Sequence, residues 1–309
     1  MALFNKDYES AGVGISKHAP KKKGFALFMD LLKRKFWQLA EINFLYTLFF
    51  IPLMLIITVL RYNDRMDFIV MITLIAILIL AFMITIGPAT AGVYKIMRCY
   101  VIEKHSFIIR DFFRAFKTNF KKAAVIGFLD CIILLSVFSA YYVYSSLAAQ
   151  TGSRLMYIPL IIVYSVAIVV LMMNFYIYLM LIATNLSLKN LIKNSFALAF
   201  VAMKSNVIII ASSLAALAVT FLIFRIFFPV FLILMWFFPM AFIFFVTTFN
   251  SYPVIQKYVI NPYYEGIGEI NPEIAGDDDA DDEERIFEDM GGKEKPIEKR
   301  KKTKGRRIS

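Results

Sequence analysis

The chain of 309 residues is 60% hydrophobic and only 18% charged, with a mean hydropathy of +0.67. A soluble domain is about half apolar and roughly a quarter charged, so this balance points to lipid and away from an ordinary globular enzyme. The net charge of +11 would suggest a nucleic-acid partner in a soluble protein. Here the basic residues stand between long apolar runs, which is a membrane-topology pattern, so the bilayer is the expected partner and no nucleic acid is.

The N-terminal segment, residues 1–35, is basic, with Lys17 and Lys21 to Lys23, but holds no compact apolar stretch ending at a small-residue cleavage site. It is therefore expected to stay on the mature protein. A bilayer core about 30 Å thick needs on the order of 20 helical residues. Six apolar runs of that size follow, at about 36–60, 68–86, 123–146, 156–183, 207–224 and 229–249. They are continuously apolar and do not alternate, which excludes a β-barrel. A single helix over 207–249 would be roughly 65 Å long, twice the core thickness, so a hairpin is required between the last two runs. Pro229 is placed to open the final helix and Pro239 to kink it.

Assigning the N-terminus, the 87–122 and 184–206 segments and the tail to one side collects all but Arg61, Arg65, Arg154 and Arg225 of the 34 basic residues. The expectation is an all-α, six-transmembrane bundle over 36–260 with both termini in the cytoplasm of a bacterial plasma membrane.

Two loop segments on that side read as amphipathic helices. Ile109, Phe112, Phe113, Phe116 and Phe120 keep helical spacing opposite Arg110, Asp111, Arg114, Lys117 and Lys121. The pattern recurs 79 residues on: Leu188, Leu191, Ile192, Ser195 and Ala199 take the apolar side, and Lys189, Asn190 and Lys193 match the polar one. Both segments follow an even-numbered span and precede an odd-numbered one, as in a duplicated unit. Each either rests at the lipid headgroups or docks a partner.

Asp130, in the third run, is the intramembrane acid: it either couples to an ion or proton or makes an interhelical hydrogen bond. Glu41 lies nearer the membrane edge. Asn43 and Asn174 read first as interhelical glue, as do Thr247, Thr248 and Asn250. The run Gly87-Pro88-Ala89-Thr90-Ala91-Gly92 either interrupts the second helix or lets another helix approach closely, and a bend with functional meaning is expected here. Cys99, Cys131, His18 and His105 form no zinc spacing. No P-loop, H-E-x-x-H or G-x-S-x-G is present, so neither metal, cofactor nor catalytic residues are expected. From residue 261 the tail turns charged, with an acidic block from Asp277 to Glu284 and a basic one from Lys299 to Arg307. Such blocks predict disorder.

Several segments together resemble one family: Gly12-Val13-Gly14 ahead of Ala19-Pro20-Lys21-Lys22-Lys23, Arg34-Lys35-Phe36-Trp37 leading to Asn43-Phe44-Leu45-Tyr46 and Pro52, the 87–92 run, and Asp111-Phe112-Phe113-Arg114-Ala115-Phe116-Lys117-Thr118-Asn119. Over about residues 1–255 the chain resembles the YesL-like bacterial membrane proteins, whose core domain is one of unknown function. Such proteins occur mainly in Gram-positive bacteria, frequently encoded beside carbohydrate ABC importers. The resemblance implies a non-enzymatic accessory or regulatory role in oligosaccharide uptake, with importer permease or ATPase subunits as partners. It carries over no catalytic residues, and the tail departs from the usual family length. The E-A-A signature of ABC permeases is missing from this chain. A stand-alone secondary transporter using Asp130 is the competing expectation, and an intramembrane enzyme is disfavoured because no nucleophile, base or metal set converges. Oligomeric state is not legible in the sequence.

Overall fold

The computed structural model describes residues 22–61, 67–269, 271 and 273. The basic stretch up to Lys21, the loop with Arg65 and the charged blocks of the tail lie outside the described residues. Every regular element among the described residues is helical. Helix α1 spans Gly24–Arg34; α2 (Phe36–Thr47) runs through a 3-10 turn into α3 (Ile51–Arg61). Then come α4 (Phe68–Val101), α5 (Ile108–Thr118), α6 (Phe120–Thr151), α7 (Tyr157–Ala183), α8 (Leu188–Val201), α9 (Met203–Ile226), α10 (Phe228–Phe237) and α11 (Pro239–Ile255). Five helical stretches are long and apolar enough to cross a bilayer, and α10 with α11, bent by 44°, make a sixth where the pair is one span. This is a multi-pass, all-helical membrane protein.

The break between α10 and α11 falls at Phe238, beside Pro239. Proline lacks the N–H that would continue the helical ladder and its ring crowds the preceding turn. Pro229 sits in the first turn of α10, where its missing N–H costs nothing.

Helix α4 corrects one expectation. Its 34 residues run uninterrupted through Pro88, so Gly87, Pro88 and Gly92 do not break the second span; they bring other elements close. A Cβ on Gly87 would overlap the Ala123 carbonyl oxygen of α6, and one on Gly92 would stand 2.7 Å from the Phe112 ring of α5. At 1.5 Å per residue α4 is roughly 51 Å long, so it extends some 20 Å past a 30 Å core. The apolar run ends near residue 86, whereas the hydrogen-bond ladder continues to Val101.

Helix α1 was no part of the sequence expectation. Its apolar side docks on the bundle: Leu31 is buried and the Phe28 ring stacks on Phe245 of α11 at 5.2 Å. On its outer side Asp30 pairs with Lys22 and with Arg34, and the Lys22 ammonium, with Arg34 beside it, holds the half-buried Asp30 carboxyl below its ordinary range. The main core gathers Leu31, Leu39, Ile42, Val93, Met97, Phe112 and Phe245 from α1, α2, the far half of α4, α5 and α11. The outer faces of the apolar helices are left exposed, as lipid-facing surface requires.

The chain divides into two compact units between Tyr252 and Pro253. The second holds the last turn of α11, a π-helical turn over Gln256–Ile260 and a short helix α12, Asn261–Ile267. Within it, the stretch from residue 261 was expected to belong to a disordered tail. Instead Pro262 opens a helical turn, and Gly268, in the left-handed conformation at φ 72°, closes it. Asn271 Nδ2 donates to Asn261 Oδ1 at 2.9 Å, and Gln256 Nε2 donates to Glu273 Oε2 at 3.1 Å.

Candidate functional site

Asp130 lies ten residues into α6, roughly 15 Å along the helix. Both of its carboxylate oxygens are engaged by α7: Asn174 Nδ2 donates to Oδ1 at 2.8 Å and the Tyr178 hydroxyl to Oδ2 at 2.8 Å. The two donors stand four residues apart and so share one face of α7. Of these three residues the sequence singled out Asp130 and Asn174 without pairing them, and missed Tyr178. The Asn-x-x-x-Tyr spacing on an otherwise apolar helix was the available signal.

Aromatic hydroxyls extend the cluster inward. The Tyr178 ring stacks on Tyr94 of α4 with centroids 6.1 Å apart, and both are buried. Tyr94 packs edge-on to Phe244 of α11, which packs edge-on to Tyr46 of α2. The Tyr46 and Thr90 hydroxyls are 3.1 Å apart. Five helices, α2, α4, α6, α7 and α11, thus contribute to one cluster, and only α7 bonds the carboxylate itself. No basic side chain pairs with Asp130 among the described residues, and none of those residues form a metal-binding group of His, Cys, Asp or Glu. Asp130 and Asn174 also form the polar end of an apolar groove of about 530 Å³ between α6 and α7. A carboxylate accepts up to about four hydrogen bonds, and two are filled here.

The other intramembrane polar candidates do not join this cluster. Glu41 is exposed on α2. Asn43 is fully buried and serves the backbone: its Nδ2 donates to the Met235 carbonyl at 2.9 Å, and its Oδ1 accepts from the Ala241 N–H at 2.9 Å. The side chain spans the break at Phe238 and satisfies one backbone group on each side. A second buried network ties the start of α9 to α7, where the Tyr176 hydroxyl donates to Asn206 Oδ1 at 2.6 Å and Asn206 Nδ2 donates to the Ala199 carbonyl at 2.7 Å.

The amphipathic segments are helices, α5 and α8, each folded back against the span that precedes it. Lys122 Nζ reaches the Leu186 carbonyl at 2.9 Å, tying the start of α6 to the turn before α8. The docking set needs correction. Phe112 is 0% exposed, seated against Gly92 and beside Phe49, and Phe116 packs on the same core. Leu191, its counterpart 79 residues on, is also 0% exposed. Phe112 and Leu191 hold the helices to their own bundle and cannot reach a partner, and Phe116 is partly buried against the same core. What remains at the surface is Phe113, Arg110 and Arg114 on α5 and Ile192, Lys189 and Lys193 on α8. The apolar stripe of an amphipathic helix looks the same whether lipid, partner or its own bundle covers it.

No curated protein and no solved structure matches the chain significantly. Residues 67–142, which cover α4, α5 and the first two thirds of α6 and so include Gly87, Gly92, Phe112 and Asp130, match a family described as "Protein of unknown function, DUF624".

Proposed function

We propose that this protein is a non-enzymatic accessory of bacterial carbohydrate uptake: a six-span, YesL-like plasma-membrane protein with both termini, α5 and α8 on the cytoplasmic side. The side is read from the distribution of basic residues, and the link to importers rests on the family resemblance. The observation that carries the reading is the pair α5 and α8. Each buries its central apolar residue in the protein itself and presents basic residues beside exposed apolar ones, Arg110, Arg114 and Phe113 on α5 with Phe107 just before it, and Lys189, Lys193, Phe196 and Phe200 on α8. Aromatics flanked by Arg are frequent anchors at protein interfaces.

Affinity purification of the full chain in mild detergent tests this. Permease or ATPase subunits of a sugar importer are expected to co-purify with wild type and to be lost from a Phe113→Ser, Arg110→Glu, Arg114→Glu variant. If wild type brings down no importer subunit, the reading fails.

Asp130 supports a second reading, a secondary transporter with this carboxylate as its coupling residue. It is the one acid lining the groove between α6 and α7, and a chain of buried tyrosines leads from it into the bundle. Against it, both carboxylate oxygens already bind α7, as a purely structural group would. Wild-type substrate uptake by Asp130→Asn would eliminate this second reading.

A further inference from the structure

A second cavity lies away from Asp130. It is a crevice of about 810 Å³ between α9, the bent pair α10 and α11, and α1 across one end. Helix α9 packs against α8 near its start and α10 near its end. Between these points the 44° bend beside Pro239 carries the last span along a different course, and Leu234, Phe238, Pro239 and Phe242, around the bend, line the crevice. The bonds from Asn43 to Met235 and Ala241 fasten that bend to α2.

The wall carries no charged side chain and few polar ones. Its hydroxyl and amide donors turn back on their own helices: Ser212 to the Ile208 carbonyl at 2.7 Å, Thr220 to Ala216 at 2.8 Å, and Asn250 to Val246 at 2.8 Å. The remaining wall is hydrocarbon. From Ile208 to Ile223 the crevice follows α9 for roughly 22 Å, longer than the roughly 15 Å half-thickness of a bilayer core, so a chain from one leaflet fits along it. The charge stands at one end. Lys23 directly precedes the lining residue Gly24, Lys204 lies one turn before Ile208, and both are exposed. Neither has an acidic partner among the described residues, and the first turn of α1 carries no side-chain cap.

We propose that this crevice holds an acyl chain of an anionic phospholipid, with its phosphate at the end marked by Lys23, Lys204 and the uncapped start of α1. The lipid completes the packing between α9 and α11 that the bent last span leaves open. Two lysines at the surface favour an anionic headgroup over a zwitterionic one.

The test equilibrates the full-length protein with vesicles of phosphatidylglycerol and phosphatidylcholine in equal parts, extracts it in mild detergent and measures retained phospholipid by mass spectrometry. Wild type is expected to retain phosphatidylglycerol in several-fold excess over phosphatidylcholine. Lys23→Glu with Lys204→Glu, both at exposed positions, is expected to erase the excess. Ala216→Trp, which fills the crevice, is expected to release the lipid, whereas Leu217→Trp, on the adjacent outward-facing position, keeps it. Equal retention by the two Trp variants would overturn the proposal, since the lipid would then be annular. So would an unchanged excess in the charge-reversed protein, or a dimer that covers α9 and carries no phospholipid. The charge-reversed protein decides the matter even if Ala216→Trp does not fold.

Discussion

Gly87 of α4 and Gly127 of α6 lie backbone against backbone: a Cβ on Gly127 would stand 2.6 Å from both the Cα and the N of Gly87. Lipid is as apolar as a leucine side chain, so helices in a bilayer gain little by burying hydrocarbon and associate through close packing, which small residues allow. This contact sets where α6 crosses α4. Asp130 lies less than one turn beyond Gly127, within reach of α7. The crossing therefore positions the carboxylate cluster as well as the bundle.

Gly87→Ala and Gly127→Ala are each expected to destabilise the protein by about 1–3 kcal/mol, because backbone, not a flexible side chain, must yield. Gly266→Ala meets nothing within 4 Å in α12 and is expected to be neutral or to gain up to about 1 kcal/mol from helix propensity. Thermal unfolding in detergent compares the three.

Asn43→Ala removes the partners of the Met235 carbonyl and the Ala241 N–H together. A loss of about 2 kcal/mol is expected, since each is a buried backbone group with no water to replace the bond. Pro239→Ala restores a backbone donor and lets the last span straighten. The double variant is expected to lose less than the two single changes summed, as a double-mutant cycle would read.

Phe112→Ser and Phe113→Ser differ by one position and are expected to act in opposite ways. Phe112 fills the seat beside Gly92, and its truncation is expected to cost about 3–5 kcal/mol. Phe113, 39% exposed, is expected to leave the unfolding temperature unchanged while weakening recovery of importer subunits. If Phe112→Ser unfolds at the wild-type temperature, α5 is not held as described.

Asp130→Leu strands the Asn174 amide and the Tyr178 hydroxyl, which now donate to the carboxylate. The expected loss is about 1–2 kcal/mol, the upper part of the range for interhelical hydrogen bonds in membranes. Asp130→Asn keeps the shape and one acceptor, so insertion and most of the stability are expected to persist. Membrane yield and thermal unfolding distinguish the two variants.

Single-cysteine labelling of intact cells tests the orientation. Sites beside Arg154 are expected to react with an impermeant reagent, and sites beside Lys117, Lys193 and Lys293 to be protected, following the positive-inside distribution. Labelling beside Lys117 from outside would reverse the proposed topology.

Local pattern and transfer energy made much of this architecture legible in the sequence. The apolar runs, the intramembrane acid Asp130, the bend beside Pro239 and the helical periodicity of α5 and α8 each depend on neighbours within a few turns. Tertiary structure decided what each feature touches. It carried α4 through Pro88, buried Phe112 and Leu191 in the protein's own core, and joined Asp130 to Asn174 and Tyr178. It also closed the last span's break with Asn43, 198 positions away from Ala241. The reason is the solvent: in a bilayer the residues that face lipid and those that face protein are equally apolar, so hydrophobicity marks which segments enter the membrane, and only packing between distant segments settles which faces meet.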